Sequence, residues 1–338
     1  MSNLFKKVAV FTDIHVGLKG NSLVHNQDCE SFIDWFIETA QKNNCETGIF
    51  MGDFHHHRNT LNIVTMDFSI RILEKLGKAF DNFYFFPGNH DLFYKDKRDI
   101  HSVEFAKYIP GITVIPNPTT IKNVTLCPWL VKDEWKHLCK KGGKYVFGHF
   151  ELPNFLMNAQ IRMPNHNEIQ VENFSNYDLG FSGHFHKRQN HKNMHYIGNA
   201  FPHNYSDAWD DERGMMMLEW DGEIEYKTWP DQPTFRTLNL STLIDQAETI
   251  LKPKQHLKVT MDIDISFEEA SFIKENFMNT YNLRELSLIA SRKDLDSYTE
   301  NNDQSVIQSV DEIVSSEIIN IDSEKYDNNT LLSIYNSL

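Results

Sequence analysis

Seven side chains with metal-ligand chemistry recur in one repeated setting. An apolar run ends, and an Asp, Asn or His follows at once. The clearest instance is Phe85-Phe86-Pro87-Gly88-Asn89-His90-Asp91, where an aromatic stretch stops at Pro-Gly and three polar residues come next. Asp13 and His15 close KKVAVFTDIH, Asp53 closes IFMGD, His149 closes KYVFGH, and His184 and His186 close GFSGHFH. Open α/β sheets gather their ligands at the carboxyl ends of strands. Each motif alone has an ordinary explanation. Asp13 reads as a helix N-cap, GNHD as a turn that happens to hold a His, and two of His55, His56 and His57 as a solvated loop run. Together and in order they form a strong signal.

The donor types narrow the chemistry. Mixed Asp, Asn and His shells suit Mn²⁺, Zn²⁺ or Fe better than Mg²⁺ or Ca²⁺, which prefer oxygen alone. Seven ligands exceed the need of one tetrahedral ion and fit two ions sharing a carboxylate. Such a pair, roughly 3.5–4 Å apart, clamps a phosphate ester and activates the water between them. Residues two apart on a strand share a face, so Asp13 with His15, and His184 with His186, are expected to point the same way.

Strands and helices must bring these residues together. Residues 6–15, 49–51, 83–86, 144–150 and 177–186 read as buried strands. Phe32, Ile33, Phe36, Ile37 and Ala40 form one helical stripe, beside which Trp35 need only be core, and residues 60–79 form a helix with more than one apolar face. Strand–helix–strand alternation argues for α/β. A helix is expected near 100–108, short strands at 112–115, 124–127 and 194–198, and a hairpin around Asp221-Gly222. From about residue 233, LKVTMDIDI, FEEASFIKENFMNTY and RELSLIA read as a small β-α-β accessory domain. SRKDLDSYTENNDQ reads as a linker, and two short amphipathic segments follow. The expected division is 1–232, 233–292, 293–304 and 305–338.

Composition sets limits. The chain has 338 residues, 40% of them hydrophobic, enough for a sizeable core. No apolar run reaches membrane-span length, and MSNLFKKVAVF reads as a first strand, not a signal peptide. Cys29, Cys45, Cys127 and Cys139 show no CxxC spacing, so reduced thiols in a cytoplasm are expected. The net charge of −14 is unusual for a nucleic-acid binder, which normally carries a basic face. Lys95 to Arg98 and Lys187-Arg188 are the best basic candidates for phosphate contacts, though a solvated surface explains them equally well.

The order Asp-x-His, Gly-Asp, Gly-Asn-His-Asp, Gly-His, Gly-His-x-His resembles the calcineurin-like metallophosphoesterase superfamily. Within it, FTDIHVGLK, MGDFHHHRN, FFPGNHDLFYK, GHFELPNF and FSGHFH are most similar to SbcD-type nuclease subunits of double-strand-break repair, particularly those of large tailed phages. The resemblance spans roughly residues 6–230. It implies two mixed β-sheets sandwiched between helices, followed by the accessory domain and a helical tail. It implies that Asp13, His15 and His186 hold one ion, that Asn89, His149 and His184 hold the other, and that Asp53 bridges. His90 would serve as general acid or stabilise the transition state. Asp91 would orient His90 by a hydrogen bond, and His56 would lie near the scissile phosphate.

The expected activity is therefore a DNA exo- and endonuclease dependent on two Mn²⁺, with Mg²⁺, Zn²⁺ or Fe as alternatives. Expected partners are DNA, a second copy of the chain, and an SMC-like coiled-coil ATPase bound through the C-terminal helices. Residues 60–79 and 94–108 are the expected dimer face. No membrane is involved, and the compartment is the cytoplasm, that of the host if a phage encodes the chain. A small-substrate phosphoesterase is the alternative, and a non-catalytic scaffold the third reading. Retention of all seven ligands and His90 argues against the scaffold.

Overall fold

The computed structural model describes residues 3–138, 140–157, 161–165 and 169–290, together with residues 318, 328, 331 and 332. The first sheet is laid down by β1 (Lys7–Phe11), β2 (Thr47–Phe50), β3 (Asn82–Phe85) and β4 (Ile112–Val114), all parallel. A second sheet follows from β5 (Thr119–Ile121), β6 (Val124–Cys127), β7 (Gly143–His149), β8 (Tyr177–Gly183), β9 (Gln189–His191) and β10 (Met194–Tyr196). The chain then returns to the first sheet as the hairpin β11 (Gly214–Glu219) and β12 (Ile224–Thr228). The strand orders are β12-β11-β1-β2-β3-β4 and β5-β6-β7-β8-β10-β9. Each sheet has four parallel strands and antiparallel additions at its edges, β11 and β12 in the first, β5 and β9 in the second. The architecture is the expected mixed α/β one.

Strand alternation builds the layers. Val8, Val10, Ile49, Met51, Tyr84 and Phe86 face inward and meet Leu126, Tyr145, Phe147 and Phe181 of the second sheet. The intervening residues Ala9, Phe11, Phe50, Phe83 and Phe85 face the other way. They pack on Phe32, Ile33 and Phe36 of the helix Leu23–Lys42 and on Phe68, Ile72 and Leu76 of the helix Ile63–Ala79. With both faces covered, the central strands are continuous apolar runs rather than alternating ones. Trp35 is partly buried against this core. The helix at 63 starts under an Asn62 side-chain cap on the Val64 N–H, and its first residue, Ile63, is 87% exposed.

Several expectations need amendment. The segment near 100–108 is only a 3₁₀ turn, Glu104–Tyr108. Strands β5 and β9 carry too little apolar signal to stand out. The region after residue 233 is larger than β-α-β. It contains β13 (Thr234–Asn239), the helix Leu240–Ile250, β14 (Gln255–Met261), the helix Phe267–Thr280 and β15 (Glu285–Ala290), in a sheet ordered β13-β14-β15. β13 runs parallel to β14, which the crossover helix Leu240–Ile250 permits. The linker expected at 293–304 and the tail at 305–338 lie outside the described residues, apart from the four named. Among the described residues no helix is long and apolar enough to cross a membrane.

Candidate metal centre

Five strands deliver the candidate ligands. Asp13 follows β1, Asp53 follows β2, Asn89 follows β3, His149 ends β7, and His184 follows β8. The loops after β1 and β2 are zipped together: the N–H groups of Asp13, His15 and Val16 donate to the carbonyls of Gly52, Asp53 and Phe54 at 3.0, 3.1 and 2.7 Å. Inside this zipper Asp13, His15 and Asp53 adopt left-handed backbone, with φ of 51°, 50° and 58°. For non-glycine residues that conformation costs about 1–3 kcal/mol each and tends to concentrate at functional sites.

This backbone corrects the strand-alternation argument. β1 stops at Phe11, so Asp13 and His15 converge through left-handed turns, not by sharing a strand face. His184 is likewise left-handed, at φ 86°. It and His186 diverge into separate clusters instead of lying on one side of an extended segment.

Three groups of donors result among the described residues; one, His15 with His56 and His90, shares His15 with the first of the other two. Of those two, Asp13, His15 and His186 form the first, and Asp53, His149 and His184 the second, with ligand atoms in each group within 4.8 Å of one another. Asn89 joins the second: its Oδ1 lies 3.0 Å from His149 Nε2 and 2.9 Å from His184 Nδ1. The Asp53 carboxylate stands between these two groups. Its Oδ2 is 3.3 Å from His149 Nε2 and 3.8 Å from His15 Nε2. All seven residues expected to hold metal are thus brought to one place.

The donor set fits divalent cations. His15 is buried, and neither of its ring nitrogens has a hydrogen-bond partner. A buried unsatisfied nitrogen is costly unless something coordinates it. Burial, opposed by Asp53 and reinforced by His90, His186 and His203, holds His15 well below its ordinary pKa, which keeps it in the neutral form that ligates. Burial would raise the Asp53 pKa, but His149, His90 and His15 hold it well below the carboxylate range. For His149, burial is outweighed by Asp53 and Asp13, which push it up to about 9. The carboxylates therefore draw positive charge to this spot. His149 Nδ1 donates to the Met51 carbonyl at 2.7 Å, which turns Nε2 toward Asp53 and Asn89.

His90 sits beside this centre, its ring 4.9 Å from that of His15 and stacked at 5.4 Å on His56. Its N–H donates to Asp53 Oδ1 at 2.8 Å, and its Nδ1 donates to the His56 carbonyl at 2.9 Å. Asp91 does not orient the His90 ring. Its buried carboxylate accepts the N–H groups of Phe54, His55 and Gly88, at 3.1, 2.9 and 2.9 Å, and so staples the β2 loop to the β3 loop. Burial and the Asp53 charge push its pKa up to about 7.

The triple His divides differently from expectation. His55 is fully buried between Ser69 Oγ and Ser102 Oγ, 2.8 Å from each, and burial pushes its pKa down to about 3. His56 and His57 are half-buried. Arg98, a candidate phosphate contact, is instead locked by Glu134 and the Trp129 carbonyl.

Two residues escaped the sequence reading. His25 Nε2 donates to the His15 carbonyl at 3.0 Å, and His203 Nε2 to the Asp13 carbonyl at 2.9 Å. They brace the backbone of two candidate ligands from outside. His25 lies inside an amphipathic helix and His203 in a loop just after Pro202, so neither follows an apolar strand; only the excess of histidines, 16 in all, hinted at them.

Trp129 packs its ring 5.1 Å from that of His184, and Glu151 Oε1 lies 3.3 Å from His184 Nε2.

The chain is similar to known proteins. The chain is 26% identical over 295 residues to exonuclease subunit 1 of Enterobacteria phage T4, covering 78% of this chain and 86% of the relative. The crystal structure of Pseudomonas putida nuclease MPE matches 46% of this chain and 67% of its own at 18% identity, with a TM-score of 0.29. Residues 6–215 match the calcineurin-like phosphoesterase family, and this span holds every strand that feeds the centre. The chain belongs to that family of metal-dependent phosphate-ester hydrolases.

Proposed function

We propose that the chain is the nuclease subunit of a DNA-processing complex and hydrolyses DNA phosphodiesters with two Mn²⁺. The observation that carries the proposal is the buried Asp53 carboxylate, which faces a histidine of each donor group. The similarity to a phage exonuclease subunit supports DNA as the substrate. Asp13, His15 and His186 would hold one ion, Asn89, His149 and His184 the other, and Asp53 both. Bound there, a divalent pair supplies Lewis acidity toward the phosphate and lowers the pKa of a water.

The chain's own residues do the rest. Because His90 Nδ1–H is committed to the His56 carbonyl, Nε2–H of the doubly protonated ring is the group that would hand a proton to the departing oxygen, leaving the neutral imidazole. The stacked His56 fixes the plane of that ring and lines the same opening, together with His57 and Arg58. Asp91 keeps the β2 and β3 loops in register, and so keeps Asp53 and His90 in mutual reach.

The assembly follows the same reading. The exposed Ile63 and Val64, with Ile100 and Tyr108 exposed in the second segment, support a homodimer face over 60–79 and 94–108. The C-terminal segments would bind a coiled-coil ATPase, which would supply the DNA contacts that an acidic chain lacks. DNA repair or recombination in the cytoplasm is the setting that these partners imply.

Incubation of the purified chain with linear DNA and Mn²⁺ tests the activity. Degradation that stops on chelation is expected. Protein that turns over bis-p-nitrophenyl phosphate or a mononucleotide yet leaves DNA intact, with or without its ATPase, would replace this reading with a small-substrate phosphoesterase.

A further inference from the structure

We infer that a cleft beside His186 receives the base of a nucleotide flanking the cleaved phosphodiester, with Trp209 as its stacking platform. The inference rests on the nuclease reading and names how the substrate is held. A cavity of about 430 Å³ opens there, with His186 and Trp209 both in its wall. Small-molecule sites run roughly 300–1,000 Å³. The cleft therefore shares one candidate ligand, His186, with the proposed centre and is large enough for one nucleotide unit.

Trp209 is built as a platform. The residue is 54% exposed, yet it is fastened at three points. The backbone N–H donates to the Phe235 carbonyl at 3.2 Å, and Nε1 donates to the Thr237 carbonyl at 3.1 Å. The Arg236 guanidinium lies 4.6 Å from the ring centroid, and Arg236 is itself buried and paired with Asp211. The backbone is left-handed, with φ 65°, an outlier for so bulky a residue. A tryptophan that merely sealed the junction with β13 would bury its ring. This one is held rigid, in an unfavourable backbone conformation, with more than half of its surface open.

The charges around it suit the same ligand. Lys187 and Arg188 line the cleft and form no described ion pair; Arg188 rests 4.2 Å from the Tyr226 ring and donates Nε to the Ile197 carbonyl. Asp207 and Asp210 also line it, but both face Arg213, at 3.5 and 3.0 Å. Glu212 forms no described ion pair but acts electrostatically on Arg188, and it disfavours a second phosphate in the cleft. One aromatic face, two cations and a neighbouring metal-type centre match a base and its phosphate. A chain of net charge −14 cannot rely on a long basic track. Stacking supplies affinity without one, and it accepts any base. It also requires the base to leave the duplex, so unpaired or frayed ends are the preferred substrates.

The test compares oligonucleotides with and without a base next to the cleaved position. Wild-type protein with Mn²⁺ should favour the intact over the abasic single strand by about five- to a hundredfold in kcat/KM, mostly through KM, as expected for one stacked base. Trp209→Ala should lose most of that discrimination, and Trp209→Phe should keep much of it. Hydrolysis of bis-p-nitrophenyl phosphate reports whether each variant has assembled its centre. Equal wild-type rates on intact and abasic strands overturn the inference alone, whatever the variants do. Undiminished discrimination in Trp209→Ala does the same. Wild-type protein that hydrolyses the small diester but no oligonucleotide overturns the nuclease reading as well.

Discussion

At the scale of single residues, the centre depends on which atom each side chain has left over. His149 and His90 both commit Nδ1 to a backbone carbonyl, so each presents Nε2 to the site. Replacing His90 by Ala should lower Mn²⁺-dependent DNA cleavage by about 10²–10⁴-fold, the usual worth of a general acid. Two metal equivalents should remain by elemental analysis, because His90 lies outside both ligand groups proposed here. Asp91 acts on the frame instead. Its carboxylate satisfies three buried N–H groups, and an unsatisfied donor costs about 1–3 kcal/mol. Asp91→Ala should therefore destabilise metal-free protein by about 3 kcal/mol or more in thermal denaturation, a loss that a role confined to orienting His90 would not produce.

At the scale of elements, the strand ends meet so closely that glycine is required. A Cβ on Gly88 would lie 2.2 Å from Asp53 Oδ1 and 2.3 Å from the Asp53 nitrogen. A Cβ on Gly183 would lie 2.1 Å from Thr12 Oγ1. These glycines are the reason that GNHD and GHFH can bring two sheets together at one carboxylate. Gly88→Ala should push Asp53 out of place, costing about 1–3 kcal/mol of stability by overpacking. It should also reduce bound metal below two equivalents by elemental analysis, although it removes no ligand.

At the scale of the molecule, the third sheet is tied to the first domain by few but specific contacts. Arg284, just before β15, forms a two-pronged ion pair with the nearly buried Asp28 of the helix Leu23–Lys42. Lys19 lies over the Phe235 ring of β13, 4.7 Å from its centroid. Arg284→Ala leaves Asp28 without that partner and should cost about 1.5–3 kcal/mol in chemical denaturation, as for hydrogen bonds to charged groups. The Trp209 platform is separately anchored to β13 through the Phe235 and Thr237 carbonyls, so the third sheet takes part in shaping the cleft beside His186.

The amino-acid order by itself determined the strands that end in Asp, Asn or His, because a strand covered on both faces must be an apolar run and its end is where polarity returns. It determined the α/β class and the set of seven candidate ligands for the same reason. It could not determine how those ligands are divided. Asp13 with His15, and His184 with His186, look alike as x-y-x patterns, yet one pair converges and the other parts. The left-handed turns at Asp13, His15, Asp53 and His184 decide that, and hydrogen bonds between separate loops hold them, with the His184 N–H donating to the Asp13 carboxylate. Asp91 accepts from the backbone of Phe54 and His55, 37 and 36 positions away, His203 donates to Asp13, 190 positions away, and His25 reaches back to His15 from a different element. No local pattern encodes a contact of that kind; only the packed chain supplies the partner.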